Sequence, residues 1–299
     1  MTVKNWIIKD LLSVSIDFLK EKNIESPRLC AEVLLANQLN TERLKLYLEY
    51  DQPVCEKDLS QYRAMIKRLI DGEPVQYITG IQEFWSMEFI VNRSVLIPRP
   101  ETEILVEQAV KVYSENYMDN SPDVSVLDIG TGSGAIAISV ASELRSAKIN
   151  AVDISGQAID TAKLNAKKHG MESRISFFQG DLFEPFEMNR QYFDIILSNP
   201  PYVTKKDYEL LPKKIKNFEP KIALESGEDG LSHVRMILEK APGFLRPGGW
   251  IIIEMDHLQT GTALQIISGN PDYTAGRVIK DYSNRDRVVI ARKKTDKNT

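Results

Sequence analysis

The stretch "SNPPYV", residues 198 to 203, sets an amide side chain, two prolines and an aromatic ring directly behind the apolar run "FDIIL". Proline donates no backbone hydrogen bond and fixes φ, so Pro200 and Pro201 cannot continue a central ladder and must lie just past a strand end. The chain is stiff there. With Asn199 before this corner and Tyr202 after it, the segment reads as a small binding jaw at the edge of a sheet.

A second chemical feature is "VLDIGTGSGAIAI", a strand running into a glycine-rich turn and then a helix. Gly130, Gly132 and Gly134, with Thr131 and Ser133 between them, let the backbone turn sharply and approach a ligand closely. The spacing is G-x-G-x-G and not the dinucleotide G-x-G-x-x-G, which points to S-adenosylmethionine ahead of NAD. Asp153 ends the next strand about 20 residues further on, where a carboxylate can accept both ribose hydroxyls. Asp181 ends the third strand and is placed to accept from an adenine amino group, with Leu182 and Phe183 flanking the base. A turn cap is the ordinary alternative for such an aspartate. Ligands of open α/β sheets sit beyond the carboxyl ends of the strands, and Gly130, Asp153, Asp181 and Asn199 all fall on that edge.

The elements that hold these residues can be read from the pattern. Residues 1 to about 74 carry helix-period apolar positions with one early break at Pro27, which predicts a small helical bundle in which Ser26 caps the helix "RLCAEVLLANQL". From 75 to 98 the chain turns to β-branched and aromatic residues punctuated by glycine and predicts a β-hairpin linker. From 99 to 299, helices alternate with seven strands: "VSVLDIG", "KINAVDIS", "RISFFQGD", "FDIILSN", "GGWIIIEM", "RVIKDY" and "RVVIARK". That order predicts an α/β domain with a mostly parallel sheet covered on both faces, and the short final turn predicts an antiparallel edge.

Composition narrows the function. A net charge of −4 argues against a chain whose affinity comes mainly from neutralising phosphates. Two cysteines and three scattered histidines supply neither a disulfide framework nor a metal cluster, which fits a reducing cytoplasm. The opening "MTVKNWIIKDLLSVSIDFLKEKNI" lacks the apolar core and cleavage site of a signal peptide, and no run is apolar for long enough to span a bilayer.

With these motifs in place, the chain resembles a known family. "NPPY" after the fourth strand is the signature of methyltransferases acting on nitrogens conjugated to a π-system, and "ESPRLCAEVLL", "GEPVQYITG", "EFW", "LIPRPETE", "FEPKIAL", "GEDGL" and "RPGGW" narrow the likeness to the bacterial peptide chain release factor (glutamine-N5) methyltransferases. The resemblance covers nearly the whole chain. It implies a Rossmann-like methyltransferase sheet, S-adenosylmethionine as methyl donor, and as substrate the glutamine of the release factors' Gly-Gly-Gln motif, bound by a monomer whose helical domain recognises the factor. It also implies a role for the jaw. The Asn199 side-chain oxygen and the Pro200 carbonyl would accept the two amide N–H groups, with Pro201 stiffening the corner and Tyr202 packing on the planar amide. The chain departs from the family pattern at Glu101, where aspartate is usual, and at Asp256, where the family turns on glycine.

Three other readings compete. A glutamine in a ribosomal protein is a related substrate. An adenine-N6 nucleic-acid methyltransferase would use the same jaw, although no basic domain or target-recognition segment accompanies it here. A non-catalytic dinucleotide-binding module leaves the jaw without a role. Arg99 and Glu103 are candidates to line the pocket, and the lysines at 205, 206, 213, 214, 216 and 221 read as a solvated connection with a partner surface as the alternative.

Overall fold

A computed structural model describes residues 6–117, 124–188 and 191–295. They form two compact units, one running to Ile81 and including Lys213–Phe218, the other comprising Gln82–Pro212 and the chain from Glu219 onward.

The first unit contains α1 (Ile8–Glu21), α2 (Pro27–Gln38), α3 (Arg43–Leu48), α4 (Glu56–Ile70) and α5 (Val75–Thr79). Its core forms because apolar residues recur at helical spacing: Leu59, Tyr62, Ile66 and Leu69 on α4 bury with Leu34 and Leu35 of α2 and Leu11, Leu12 and Leu19 of α1. Glu32 is nearly buried among them. Burial opposes its charge, but Tyr47, Arg43 at 2.7 Å and Arg28 at 2.8 Å outweigh that cost and hold its carboxyl down to about 2.

Two local expectations change. Ser26 occupies the position before α2 and Pro27 opens the helix, but Ser26 has φ 51° and its side chain makes no capping bond. Residues 75–79 are helical and not part of the hairpin, because Pro74 presets the entry and Gly80, at φ 77°, ends the turn. The hairpin itself is β1 (Ile81–Phe84) and β2 (Met87–Ile90). Its two-residue loop places both Trp85 and Ser86 at positive φ, the mirror-image turn that matches strand twist.

The second unit carries α6 (Glu103–Asn116), β3 (Ser125–Ile129), α7 (Ala135–Glu143), β4 (Lys148–Asp153), α8 (Gly156–Lys168), β5 (Ile175–Gln179), α9 (Glu184–Glu187), β6 (Phe193–Ser198) and α10 (Lys205–Leu210). After α11 (Lys213–Lys216), which belongs to the first unit, come α12 (Ser232–Lys240), β7 (Leu245–Glu254), α13 (Thr260–Gly269), β8 (Arg277–Lys280) and β9 (Asp286–Arg292). The seven strands β3–β9 lie in the order β5-β4-β3-β6-β7-β9-β8. The first five are parallel. β9 runs antiparallel to both of its neighbours, so the last strand inserts between β7 and the edge strand β8.

Strand periodicity decides which face each residue covers. Val126, Ile195, Leu197 and Ile252 pack with residues of α6 and α7, while Leu127, Ile129, Ile196, Ile251 and Ile253 pack with residues of α12 and α13. Every residue of β3 and β6 is buried. These two central strands are clamped between the helical layers, and they position the loops that leave their carboxyl ends.

Candidate active site

Register brings the chemistry to one edge. Ile129 pairs with Val152 and with Ser198, and Asp153 pairs with Gln179, so the loops after β3, β4, β5 and β6 emerge side by side. The cleft they form is lined by Gly130, Thr131, Gly132, Ser133, Asp153, Asp181, Leu182, Asn199, Pro200 and Pro201, every one of them anticipated from sequence.

The loop after β3 has φ of 73°, 56° and 81° at its three glycines. At Gly130 the direction a Cβ would take is open, so the backbone there is bare toward the cleft. Gly134 does different work: it does not line the cleft, and a Cβ on it would meet Ala162 and Ile138 at 3.1 Å, so it lets α7 settle against α8. The loop is held from behind. Asn165, fully buried on α8, donates to the Ser133 carbonyl at 2.8 Å and exchanges hydrogen bonds with the backbone of Ile90. Thr131 donates to Asp128 at 2.7 Å. Burial of Asp128 pushes its carboxyl up to about 7, and the nearby Asp153 adds to the rise.

Asp153 accepts from the backbone N–H groups of Gly132 and Ser155, each at 2.9 Å. Burial raises its carboxyl and these two donors oppose the rise. Each carboxylate oxygen has a second lone pair, so acceptor capacity remains beyond these bonds. Leu182 sits at φ 50° against the cleft. Phe183 turns the other way, fully buried and stacked on Phe244 with ring centroids 4.6 Å apart, so only Leu182 of that pair lines the cleft.

At the jaw, Asn199 donates from Nδ2 to the Thr102 hydroxyl at 3.0 Å, which leaves its Oδ1 as the free end of the amide. Pro200 and Pro201 continue the lining. Tyr202 lies outside it: burial raises its hydroxyl's pKa and the charges of Glu254 and Arg287 bear on it. Its carbonyl is held by the side-chain amide of Gln259 at 2.8 Å. Arg99 lines the cleft and pairs at 2.6 Å with Glu219, which is nearly buried. Glu103 does not line it, because its carboxylate accepts from the Trp85 backbone in the hairpin turn. Asp256 forms a turn in which its side chain accepts from Leu258, so the path after β7 does not need glycine. Within the basic segment, Lys205 pairs with Glu228, Lys214 with Glu25 and Lys221 with Glu225.

Sequence reasoning missed four contributors. Thr102, in "PRPETE", looks like an ordinary helix-start residue. Glu254 ends an apolar strand and carried the one available signal, a carboxylate closing a buried run; it is 1 % exposed and burial pushes it up to about 7. Gln259 and His233 gave no signal. His233 lines the cleft, and its backbone donates to Ser226 Oγ while its Nδ1 lies 2.8 Å from the same atom.

Residues 10–80 match the PrmC N-terminal domain and residues 105–217 the Methyltransferase small domain. The chain is 39% identical over 288 residues to a release factor glutamine methyltransferase of Geobacter sulfurreducens, and 38% identical over 288 residues to one of Rhodopirellula baltica, in each case covering 96% of this chain and 97% of the relative. Among solved structures, the hMettl16 catalytic domain in complex with MAT2A 3'UTR hairpin 6 superposes with a TM-score of 0.52 at 15% identity, covering 83% of this chain and 87% of that one, a likeness of fold. A proline jaw and a glycine loop on one sheet edge, joined to relatives matched almost end to end, place this chain in the release factor glutamine methyltransferase family.

Proposed function

We propose that the chain transfers a methyl group from S-adenosylmethionine to the side-chain amide nitrogen of the glutamine in the Gly-Gly-Gln motif of peptide chain release factors. The observation that carries this reading is the pinned Asn199 amide, whose Oδ1 stands beside the stiff Pro200–Pro201 corner on the same edge as the glycine loop.

The cleft fits the cofactor. The open backbone at Gly130 admits close approach, Thr131, Gly132 and Ser133 continue the cradle, and Asp153 has acceptor capacity for ribose hydroxyls. Asp181 would accept from the adenine amino group and Leu182 would flank the base. When bound, S-adenosylmethionine supplies a methyl group activated by its sulfonium.

The substrate sets the demand on the jaw. An amide nitrogen is a poor nucleophile because its lone pair is delocalised into the carbonyl. Asn199 Oδ1 and the Pro200 carbonyl accept its two N–H hydrogens and turn the nitrogen toward the methyl group, while Tyr202, outside the cleft lining, anchors the corner through its carbonyl, held by Gln259 at 2.8 Å. Among the described residues, no backbone donor takes the Pro200 carbonyl. As the carbon–nitrogen bond forms, the methyl–sulfur bond would break to leave S-adenosylhomocysteine and one N–H proton would pass to solvent water; no strong base is needed, because orientation and fixed dipoles carry the acceleration.

Residues 1–74 are the part we assign to recognition of the folded factor, with the chain acting as a monomer in the cytoplasm. Among the described residues no helix is long and apolar enough to cross a membrane. The test is transfer of labelled methyl from S-adenosylmethionine to purified release factor, beside the same factor with its motif glutamine replaced, a ribosomal protein and adenine-containing DNA. Label on the intact factor alone is the expected result; label on the glutamine-replaced factor or on the alternative substrates instead would overturn the reading.

A further inference from the structure

His233, in the first turn of α12, lines the cleft together with Gly180, Asp181 and Leu182. Its neighbour Val234 is buried in the cluster that takes Phe183, and Leu182 packs against the same cluster. The start of α12 therefore delivers the imidazole to the end of the cleft built by the loop after β5, the end assigned above to the adenine base.

The ring is not free to choose which nitrogen carries its proton. Nδ1 lies 2.8 Å from Ser226 Oγ, and the same oxygen accepts from the His233 backbone N–H at 3.1 Å. Ser226 is 1 % exposed, and among the described residues its hydroxyl has no acceptor other than Nδ1. A buried hydroxyl whose proton found no acceptor would bear the full cost of desolvation. It therefore donates to Nδ1, and the neutral ring carries its own proton on Nε2. Burial holds the imidazole below its ordinary pKa, toward that neutral form, against the opposing charge of Asp181. Ser226 is itself fixed: its backbone N–H donates to the Val203 carbonyl at 2.9 Å, and its carbonyl accepts from Ser232 at 3.3 Å. Nε2 makes no hydrogen bond among the described residues.

We propose that His233 is a base-recognition contact for the cofactor, its Nε2–H donating to an adenine ring nitrogen near the amino group that Asp181 accepts, with Ser226 setting the tautomer. The proposal rests on the reading that the cleft takes S-adenosylmethionine with its base at Asp181 and Leu182. Adenine presents a donor, the amino group, close to ring acceptors, and an acceptor and a donor side by side on the protein match that pair. A site built to donate to a ring nitrogen rejects a base that lacks it, because the donor is then left unpaired. Ser226 does not touch the ligand; it acts through the ring it orients.

The experiment measures by calorimetry the affinity of wild type, His233→Phe and Ser226→Ala for S-adenosylhomocysteine and for two analogues of it, in which CH replaces either adenine N1 or adenine N7. Phenylalanine keeps a ring and removes the donor, so His233→Phe should bind S-adenosylhomocysteine about 3- to 10-fold more weakly than wild type. Ser226→Ala keeps the imidazole and removes control of its tautomer, and should lose about 2- to 3-fold. For the analogue that lacks the accepted nitrogen, wild type and both variants should bind alike, whereas for the other analogue the differences should persist. Equal affinity of wild type and His233→Phe for S-adenosylhomocysteine would overturn the contact, and so would a difference of the same size on all three ligands, which is the mark of packing alone. Wild-type affinity in Ser226→Ala would overturn the assigned tautomer and with it the proposal. If His233→Phe does not fold, the pattern of Ser226→Ala over the three ligands decides alone. A wild type that binds no S-adenosylhomocysteine would refute the cofactor reading itself, whereas His233 is judged only from ratios among variants and analogues.

Discussion

The side-chain amide of Gln259 donates to the carbonyl of Tyr202 across 2.8 Å, joining the chain just past the jaw to the start of α13, 57 residues later. Gly230 lies directly behind this bond. A Cβ there would stand 2.3 Å from the Tyr202 oxygen and 2.4 Å from Gln259 Nε2, and its φ is 73°. The "GEDGL" turn therefore packs its backbone against the end of the jaw, where there is no room for a side chain.

Gly230→Ala should shift the jaw more than the cofactor cradle. Neither the Tyr202 backbone nor the positive φ can yield freely, so the cost is on the order of 2–4 kcal/mol of stability. Where the variant folds, turnover should fall at least about 10-fold while cofactor affinity changes little. Chemical denaturation and calorimetry read the two effects separately.

Asp153→Ala removes the acceptor we propose for the ribose hydroxyls and also the anchor for the Gly132 and Ser155 N–H groups. Cofactor affinity should drop by about 10- to 100-fold, equivalent to 1.5–3 kcal/mol. Equal affinity in wild type and variant would take Asp153 out of the cofactor site.

Asp128 predicts a pH dependence of stability. Its native carboxyl is raised by burial to about 7, above the unfolded value of about 4, so between these limits the native state binds more protons than the unfolded state. The stability this group contributes is therefore full at acid pH and is lost as pH rises toward 7. Asp128→Asn keeps the Thr131 partner and removes the titration. The midpoint difference between pH 5 and pH 8 should be smaller in the variant than in the ligand-free wild type, measured by thermal unfolding.

The sheet was legible because its signals are local and periodic: "VLDIG" and "FDIIL" read as buried strands, and each polar residue just past a strand end falls on the ligand edge in a parallel sheet. What eluded the sequence depends on partners distant in the chain. Thr102 matters through Asn199, 97 residues away, and nothing in "RPETE" announces it. Gly134 matches the ligand-loop spacing, yet its backbone serves helix packing against Ala162. Phe183 comes after Leu182 on the same turn, and the aromatic pocket around Phe244 claims it. The first strand of the hairpin began late because β-branched content alone cannot distinguish a five-residue helix bounded by Pro74 and Gly80 from a strand.

The central claim is that Asn199 grips the amide being methylated, and the most direct measurement is single-turnover methyl transfer to release factor by Asn199→Ala at saturating cofactor. One of two acceptors is lost while Pro200, Pro201 and the glycine loop stay in place, so the rate should fall at least about 100-fold, with cofactor affinity changed far less. A variant that methylates release factor at the wild-type rate would contradict the gripping mechanism.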